Sequence, residues 1–281
     1  MKNDDTPLQL RHLKAVVFDW AGTVVDFGSF APMDAFVQLF ASEGLPLTLD
    51  EARGPMGLPK WSHIEALLAL PAVAAAWQAR HGRAPVAADV DRLLARFEPM
   101  NLAAIGAHAA LVPGAADTVR VLRGAGLRIG STTGYTRPIM DVLAPLAAAQ
   151  GFVPDHLVCA GDLLHSRPSP LGVYANLVTL GVWPAHAVVK VDDTVPGLLE
   201  GAHAGCWTVA VLASSNACGL RAEDWAALDE ADRAAHRAQV ARALEPGRPD
   251  ELIDTVADLP DALARIDARI DAGERPNGAR P

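Results

Sequence analysis

The chain has 281 residues, of which 51% are hydrophobic and 20% are charged, so we expect a sizeable buried core and no wholesale disorder. Its formal net charge of −9 argues against nucleic acid as the main partner, because nucleic-acid-binding proteins need a basic surface. A small anionic substrate is not excluded, since it responds only to the local field of its binding site.

The cysteines and the first residues indicate where the protein works. Cys159, Cys206 and Cys218 are scattered and form neither a metal-binding spacing nor a disulfide framework, which is typical of a reducing compartment. Residues 1–5 carry two acids and no apolar signal core, and the apolar run at 66–77 is too short to span a bilayer. We therefore expect a cytoplasmic protein without a membrane partner.

The first predicted element is a short strand at residues 16–18, which ends on Asp19 and breaks into a loop with Gly22 and Thr23. A continuous apolar run of this kind is typical of a parallel strand that is buried on both faces. Asp19 would then lie at the carboxyl end of its strand, where open α/β sheets bind ligands. A turn cap is an equally good interpretation of this stretch alone.

Residues 28–108 show helical patterns throughout and are predicted to form an inserted all-helical domain. Pro32 begins a helix whose apolar residues recur at helical spacing and which Gly44 ends. Thr48 and Glu51 form a capping box for a short second helix. Further helical patterns follow at residues 60–71, 72–80 and 86–107.

Strands and helices alternate after residue 108, which is typical of βαβ units with a parallel sheet. The predicted strands are residues 127–131, 156–159, 187–191, 207–212 and 252–256. The predicted helices are residues 113–124, 137–150, 170–180, 195–204, 232–244 and 260–270. The sequence therefore predicts an α/β fold, a doubly wound, Rossmann-like parallel sheet core with an inserted helical cap. The predicted boundaries are residues 1–27 and 109–273 for the core domain, 28–108 for the cap domain and 274–281 for a flexible tail.

Polar side chains follow four of the predicted strands, and the carboxyl ends of parallel strands meet at one edge of a sheet. These residues are Asp19, Thr133 with Gly134, Arg167, and Asp192 with Asp193. Taken singly, the residues after the last three strands are more often a turn residue, a solvated arginine or a helix cap than part of a site. Four such strand ends in one sheet favour a binding site.

The chemistry of these groups fits a phosphoryl ligand. The carboxylates of Asp19 and Asp193 are ligands that Mg²⁺ prefers. The Thr133 hydroxyl, the Gly134 amide and the Arg167 guanidinium can together cradle phosphate-type oxygens. A carboxylate such as Asp19 can then attack phosphorus and form an aspartyl phosphate.

Lys60 is one of only four lysines, against twenty arginines, and it begins a predicted helix with His63 one turn along. A solvated surface lysine is the simpler interpretation. A helix N-terminus, however, disfavours the ammonium form and so lowers the pKa of the amine. A lysine amine that condenses with an aldehyde forms an iminium, which can accept the electrons of a neighbouring C–P bond.

These residues resemble the haloacid dehalogenase superfamily. The stretch 19–23, Thr133, Arg167 and Asp193 match its four motifs, in which the first aspartate is the nucleophile. Most members carry a second acid two residues later, which protonates the leaving group, whereas this chain has Ala21. A leaving group that is activated in another way does not need that acid.

Ala21 combined with the Lys60 motif resembles the phosphonatase family within this superfamily. The matching stretches are residues 18–23, 30–32, 55–60 with His63, 131–137, 167–168 and 190–195. The resemblance extends from about residue 13 to residue 212. It implies Mg²⁺-dependent hydrolysis of the C–P bond of phosphonoacetaldehyde to acetaldehyde and phosphate, in the degradation of 2-aminoethylphosphonate.

The resemblance also implies a role for each matching residue. The catalytic set is Asp19 as nucleophile, Lys60 as the Schiff-base amine, and Met56, His63 and Tyr135 as helpers in proton movement around it. The phosphonate-binding set is Thr133, Gly134, Arg167 and Gly57. The Mg²⁺ ligands are Asp19, the carbonyl of Ala21 and Asp193, with Asp192 as a further candidate.

Three positions depart from the family pattern. Ser29 stands where the family often has Cys, Asp192 where it usually has Gly, and Gly197 where it usually has a second acid. Our hypothesis is that Asp192 replaces the carboxylate missing at Gly197; otherwise Mg²⁺ affinity is expected to be weaker. Lys190 faces away from Asp193 by strand alternation and is predicted to be a salt-bridge partner outside the site.

The family is homodimeric through the cap, and the apolar face of Met33, Phe36 and Phe40 is the candidate contact. Packing within the chain is an equally good interpretation of that face. Two other functions compete with C–P bond hydrolysis: a phosphatase or phosphomutase of the same superfamily, and a catalytically silent protein with this fold. Ala21 argues against the first alternative, and the joint presence of Asp19 and Lys60 argues against the second.

Overall fold

The protein is described by a computed structural model that covers residues 8–56 and 58–277. Six parallel strands form one sheet in the spatial order β3-β2-β1-β4-β5-β6. The strands are β1 (Ala15–Phe18), β2 (Arg128–Thr136), β3 (His156–Ala160), β4 (Val188–Asp192), β5 (Trp207–Val211) and β6 (Glu251–Ile253). This is the order of a doubly wound Rossmann-like sheet, so the predicted α/β fold class is confirmed.

Twelve α-helices accompany the sheet in the described residues. Those between β1 and β2 are α1 (Phe30–Ser42), α2 (Leu49–Arg53), α3 (Lys60–Leu68), α4 (Pro71–His81), α5 (Ala87–Ile105) and α6 (Ala115–Gly124). Those after β2 are α7 (Arg137–Ala148), α8 (Leu171–Leu180), α9 (Val195–Ala204), α10 (Ala222–Ala227), α11 (Glu230–Leu244) and α12 (Leu259–Asp271). None of these helices combines the length and the hydrophobicity that a bilayer-spanning helix requires.

The register of β1 aligns the strand ends that carry the polar residues. Phe18 pairs with Ser131 on one side and with Val191 on the other. The amide of Asp19 then donates to the carbonyl of Val191 over 3.0 Å. The residues that follow β1, the middle of β2 and the end of β4 are therefore held side by side at one edge of the sheet.

Strand β2 is longer than the sequence predicted. The polar stretch after Ser131 was expected to be a loop, but β2 continues to Thr136, which pairs with Ala160 of β3. The register shifts between Thr132 and Thr136, as at a β-bulge. The polar side chains indicated that the strand ends at Ser131. The backbone of β2 instead bends and then pairs with β3 again at Thr136.

Helices α1 to α5, here called the helical segment, carry a hydrophobic cluster of their own. Its larger buried members are Met33, Phe36, Phe40, Ile64, Leu67, Trp77 and Phe97. The face of Met33, Phe36 and Phe40 is fully buried within the chain, and Phe36 stacks on Phe97 with ring centroids 4.2 Å apart. Packing within the chain is thus the correct interpretation of this face, and it is not available to a second copy.

The end of the described chain lies against the residues that precede β6. The backbone amide of Asn277 donates to the Asp250 carboxylate over 2.7 Å, and Arg248 donates to the Asn277 carbonyl. The sequence predicted a flexible tail from residue 274. Residues 278–281 of that predicted tail lie outside the described residues.

Candidate active site

A cleft opens where the strand order reverses between β1 and β4, between the sheet edge and the helical segment. The predicted site residues that line it are Asp19, Ala21, Met56, Lys60, Thr133, Gly134, Tyr135 and Arg167. The structure therefore brings together most of the residues that the sequence singled out. Gly57, a predicted phosphonate-binding residue, lies outside the described residues.

Asp19 is buried at the end of β1 and faces a fixed cation. Its Oδ1 accepts a hydrogen bond from the Arg167 guanidinium over 2.7 Å. Burial raises the pKa of Asp19, while the positive charge of Arg167 opposes that increase. The carboxylate is thus held in one orientation at the edge of the cleft, as a nucleophile requires.

Asp19, Asp192 and Asp193 form a buried acidic cluster. One carboxylate oxygen from each lies within 4.8 Å of the others. Burial and the negative charges of Asp19 and Asp192 raise the pKa of Asp193 well above its usual range. Because hard oxygen ligands suit a divalent cation and such an ion would relieve this repulsion, the donor set fits the metal that the family resemblance implies.

Asp192 fills the space that a side chain at position 197 would need. A Cβ placed on Gly197 would overlap the Asp192 carboxylate. Asp192 Oδ1 accepts from the amide and hydroxyl of Thr194 at 3.0 and 2.8 Å, and Oδ2 lies 2.8 Å from Lys190 Nζ. The two departures from the family pattern therefore compensate in space: the carboxylate of Asp192 occupies the room left by the missing side chain at Gly197. This carboxylate is already paired with Lys190.

A buried ionic network behind the cleft fixes Arg167. Its Nε donates to Glu200 Oε2 over 3.1 Å, and one terminal nitrogen donates to the Thr132 carbonyl over 2.8 Å. Lys190 donates to the Thr132 hydroxyl over 3.0 Å, and Thr132 donates to Glu200 over 2.7 Å. Lys190 forms the predicted salt bridge, with Asp192, but it borders the site rather than lying outside it.

Sequence reasoning missed Glu200. A signal was present, because Lys190 stands inside an apolar buried strand and a buried lysine needs an anionic partner. Glu200 is the lone acid of α9 and is 2% exposed. The acid in this mostly apolar helix next to the sheet was the residue to pair with that lysine.

Thr133 and Gly134 lie in the irregular part of β2 and line the same cleft as Arg167. Thr133 Oγ1 accepts from the Tyr135 amide over 3.1 Å, so its hydroxyl proton is directed elsewhere. A Cβ built on Gly134 would meet no atom within 4 Å, so the backbone is open to a ligand there. The arrangement offers a hydroxyl and an open backbone next to a guanidinium.

Lys60 begins α3 and extends its amine into apolar surroundings. Its Nζ lies 3.8 Å from Met56 Sδ, 5.5 Å from the Phe36 ring centroid and 6.0 Å from the Tyr135 ring centroid. The residue as a whole is half-buried, but this end is enclosed. Burial lowers the pKa of Lys60 to about 8, against the opposing charge of Asp19. About a tenth of the amine is therefore free at pH 7, far more than for an ordinary lysine.

His63 is fully buried and is not among the residues that line the cleft. Its Nε2 lies 2.9 Å from the Ala52 carbonyl, which can only accept, so Nε2 carries the proton. Nδ1 is then an unprotonated acceptor, and it has no hydrogen-bond partner within residues 8–56 and 58–277. Burial, reinforced by Lys60, lowers the pKa of His63 to about 3, so the ring stays neutral.

Tyr135 lies across the cleft from Met56 and Lys60. Its hydroxyl is buried and finds no partner in the described part of the chain. Burial raises the pKa of Tyr135 well above its usual value of 10. The phenol therefore keeps its proton at neutral pH and offers it as a hydrogen-bond donor without transferring it.

A model of the haloacid dehalogenase-like hydrolases matches residues 13–205. The chain belongs to this hydrolase family. It is 50% identical to a phosphonoacetaldehyde hydrolase from Paraburkholderia xenovorans, over 95% of this chain and 100% of the relative. It is 47% identical to a phosphonoacetaldehyde hydrolase from Pseudomonas fluorescens, over 94% of this chain and 96% of the relative.

Solved structures agree with these relatives. A phosphonoacetaldehyde hydrolase-like protein from Oleispira antarctica superposes with a TM-score of 0.92 at 36% identity, covering 96% of this chain and 98% of that one. A β-phosphoglucomutase from Clostridium difficile superposes with a TM-score of 0.66, over 92% of this chain and 99% of that one. At 13% identity, that second likeness shows the shared fold alone.

Proposed function

We propose that this hydrolase cleaves the C–P bond of phosphonoacetaldehyde and releases acetaldehyde and phosphate. One observation carries the proposal: the amine of Lys60 and the carboxylate of Asp19 line a single cleft in which position 21 offers no acid. A phosphatase needs an acid for its alcohol leaving group, whereas an amine can activate a carbon leaving group. The names of the similar proteins support the same substrate.

The reaction begins at the aldehyde. The free amine of Lys60 attacks the aldehyde carbon, water leaves, and a protonated imine forms between enzyme and substrate. The lowered pKa of Lys60, about 8, supplies the free amine. The thioether of Met56 lines this part of the site, whereas the unprotonated Nδ1 of His63 is buried outside the cleft lining. Both residues are proposed to assist the proton movements.

The phosphoryl group is then transferred to the protein. Arg167, Thr133 and Gly134 hold the phosphonate oxygens, and an oxygen of Asp19 attacks phosphorus on the side opposite the carbon. The C–P bond breaks, and its electron pair moves into the imine to give an enamine. The phosphoryl group is then attached to Asp19 as an aspartyl phosphate.

Two hydrolytic steps restore the protein. The enamine takes up a proton at carbon, and water releases acetaldehyde and the amine of Lys60. A second water cleaves the aspartyl phosphate and regenerates Asp19. One water was lost when the imine formed, so one water is consumed overall, as hydrolysis requires.

The acidic cluster is the proposed magnesium site, with Asp19, Asp193 and the Ala21 carbonyl as ligands. Mg²⁺ bound there would neutralise charge on the phosphonate and bring it close to Asp19. The surrounding charges support this assignment. The described residues place four buried carboxylates (Asp19, Asp192, Asp193 and Glu200) around two buried cations, Arg167 and Lys190, whose ion pairs reach Asp19, Asp192 and Glu200.

The helical segment is proposed to act as the cap that closes over the sheet edge, since Lys60 and Met56 reach the cleft from it. The homodimer through this cap remains a prediction, and its contact must use a surface other than Met33, Phe36 and Phe40. The three free cysteines agree with the predicted cytoplasmic location. Sedimentation of the purified protein would give the oligomeric state.

Two parallel assays distinguish this function from a phosphatase. We expect acetaldehyde and phosphate in equal amounts from phosphonoacetaldehyde, and only trace release of phosphate from an alkyl ester such as glycerol phosphate, whose alkoxide leaving group needs an acid. Asp19→Asn should abolish both products together. Efficient turnover of the phosphate ester without acetaldehyde production would favour a phosphatase or phosphomutase instead.

A further inference from the structure

The loop that follows β5, residues 212–221 and here called the β5 loop, contacts the acidic cluster directly. The backbone amide of Asn216 donates to Asp193 Oδ2 over 2.8 Å. The Ser214 hydroxyl donates to the carbonyl of Gly22, in the loop that follows Asp19, over 2.7 Å. The β5 loop thus holds the orientation of the Asp193 carboxylate.

The same residue also binds the helical segment. Arg53, the last residue of α2, donates to the Asn216 carbonyl over 3.1 Å and to its Oδ1 over 3.3 Å. Asn216 Nδ2 returns a hydrogen bond to the Arg53 carbonyl over 3.2 Å. Asn216 therefore binds the helical segment through its side chain and its carbonyl, while its amide holds Asp193.

The position of Arg53 is fixed from several sides. Its guanidinium donates to the Gly28 carbonyl over 2.6 Å and lies 4.7 Å from the Phe30 ring centroid. Arg221, also in the β5 loop, lies 4.5 Å from the same ring. An open cleft lined by Arg53, Asp193 and Asn216 separates α2 from the sheet edge, so these polar contacts bridge a gap.

We propose that Asn216 is a positioning residue that couples closure of the helical segment to the orientation of the Asp193 carboxylate. Binding of a divalent cation at the acidic cluster and closure of the segment then favour each other. The proposal rests on the proposed function only for the role of the cluster as a metal site.

The physical link is geometric. The Asp193 carboxylate accepts from the Asn216 amide through Oδ2, so a cation that binds this carboxylate also fixes the direction from which Oδ2 meets that amide. A firmer contact between Asp193 and the Asn216 amide fixes the β5 loop and presents the Asn216 side chain to Arg53. Linkage is reciprocal, so closure on Arg53 strengthens cation binding by the same factor.

Hydrogen–deuterium exchange with Mg²⁺ as the only addition tests the proposal without any substrate. In the wild type, Mg²⁺ should slow exchange in the β5 loop and also in α2. Asn216→Ala should lose the slowing in α2 and bind Mg²⁺ roughly 5-fold more weakly by calorimetry. Arg53→Met should lose the slowing in α2 in the same way. Because this variant keeps Asn216, it tests the proposal even if Asn216→Ala does not fold.

Arg83→Met is the matched control, because Arg83 pairs with Asp89 inside the helical segment. It should keep the wild-type response to Mg²⁺. Unchanged slowing of α2 in both Asn216→Ala and Arg53→Met would overturn the proposal, as would a wild-type α2 that does not respond to Mg²⁺. A coupled α2 in a protein that does not hydrolyse phosphonoacetaldehyde would overturn the proposed function alone.

Discussion

The amine of Lys60 sets the pH range in which the site can work. Below a pKa of about 8 the amine is mostly protonated and cannot attack an aldehyde. We therefore expect kcat/KM to rise about tenfold per pH unit below that value and to level off above it. Lys60→Met should reduce kcat/KM by roughly 10³-fold or more. Lys14→Met, at a surface lysine that binds the Trp183 carbonyl, should leave it near the wild-type value, and a flat pH profile would contradict the assignment.

The exchange of Asp192 and Gly197 makes a second prediction for single residues. Gly197→Ala should destabilise the wild type by about 1–3 kcal/mol, because the new methyl overlaps the Asp192 carboxylate. The same change should cost much less in an Asp192→Gly background, which empties that space. Urea denaturation of the four variants measures this coupling. Strictly additive effects would show that the two positions do not compensate.

At this scale the sequence predicted the residues that a strand end must present and missed those that reach the site from elsewhere. Asp19, Arg167 and Asp193 could be predicted because parallel strands bring their carboxyl ends to one edge. Glu200 and Asn216 could not be predicted in the same way, because one acts from the face of a helix and the other from a loop. The role of Asn216 depends on packing that local patterns do not encode, whereas the signal for Glu200 was indirect, through the buried Lys190 that needs an anionic partner.

At the scale of elements, the described strands begin and end close to the predicted positions, since buried parallel strands are unmistakably apolar. Strand β6 is one exception, because it ends at Ile253 and not at the predicted residue 256. Strand β2 is the larger exception. Its second half is polar because it lines the cleft, so its sequence lacks the apolar pattern by which a buried strand is predicted. The Thr48–Glu51 capping box of α2, by contrast, is formed as the sequence indicated.

The chain enters the helical segment near Asp26 and leaves it near His108, and these two connections lie next to each other. His108 Nδ1 lies 3.3 Å from Asp26 and its Nε2 lies 3.5 Å from Asp34, with Arg221 as the opposing charge nearby. The hydrogen bond to Asp26 raises the pKa of His108 above 6.5. The ion pair therefore stabilises the fold fully below pH 6.5 and is lost as the pH rises through the folded-state pKa.

His108→Gln should consequently cost up to about 1 kcal/mol of unfolding free energy at pH 5.5 and less at pH 8.5. Urea denaturation at the two pH values measures the difference. An effect that is independent of pH, or one that grows with pH, would show that the charge of His108 does not stabilise the contact with Asp26 and Asp34.

At the scale of the whole molecule, the excess of buried negative charge predicts stabilisation by a divalent cation. At about 100 times its dissociation constant, Mg²⁺ should raise the free energy of unfolding by about 2.7 kcal/mol. Asp193→Asn should weaken that response. Thermal unfolding with Mg²⁺ and with EDTA measures it, and equal melting temperatures in the wild type would contradict a metal site at the cluster.

The overall architecture followed from the alternation of strands and helices, but the surface of the molecule did not. Helix α1 buries Met33, Phe36 and Phe40 and also Ala31 and Leu39 on other sides, so it lies in the middle of the helical segment. A helix that is apolar nearly all round is a core helix, and its apolar face alone could not show which neighbour covers it.

Borohydride trapping tests the central claim most directly. Reduction of the protein during turnover of phosphonoacetaldehyde should leave an N-phosphonoethyl or N-ethyl group on Lys60, identified by peptide mass spectrometry, together with irreversible loss of activity. Lys60→Met should yield no such adduct, and Lys14→Met should be labelled at Lys60 like the wild type. A wild-type protein that hydrolyses phosphonoacetaldehyde yet carries no reduced adduct on Lys60 would contradict the account.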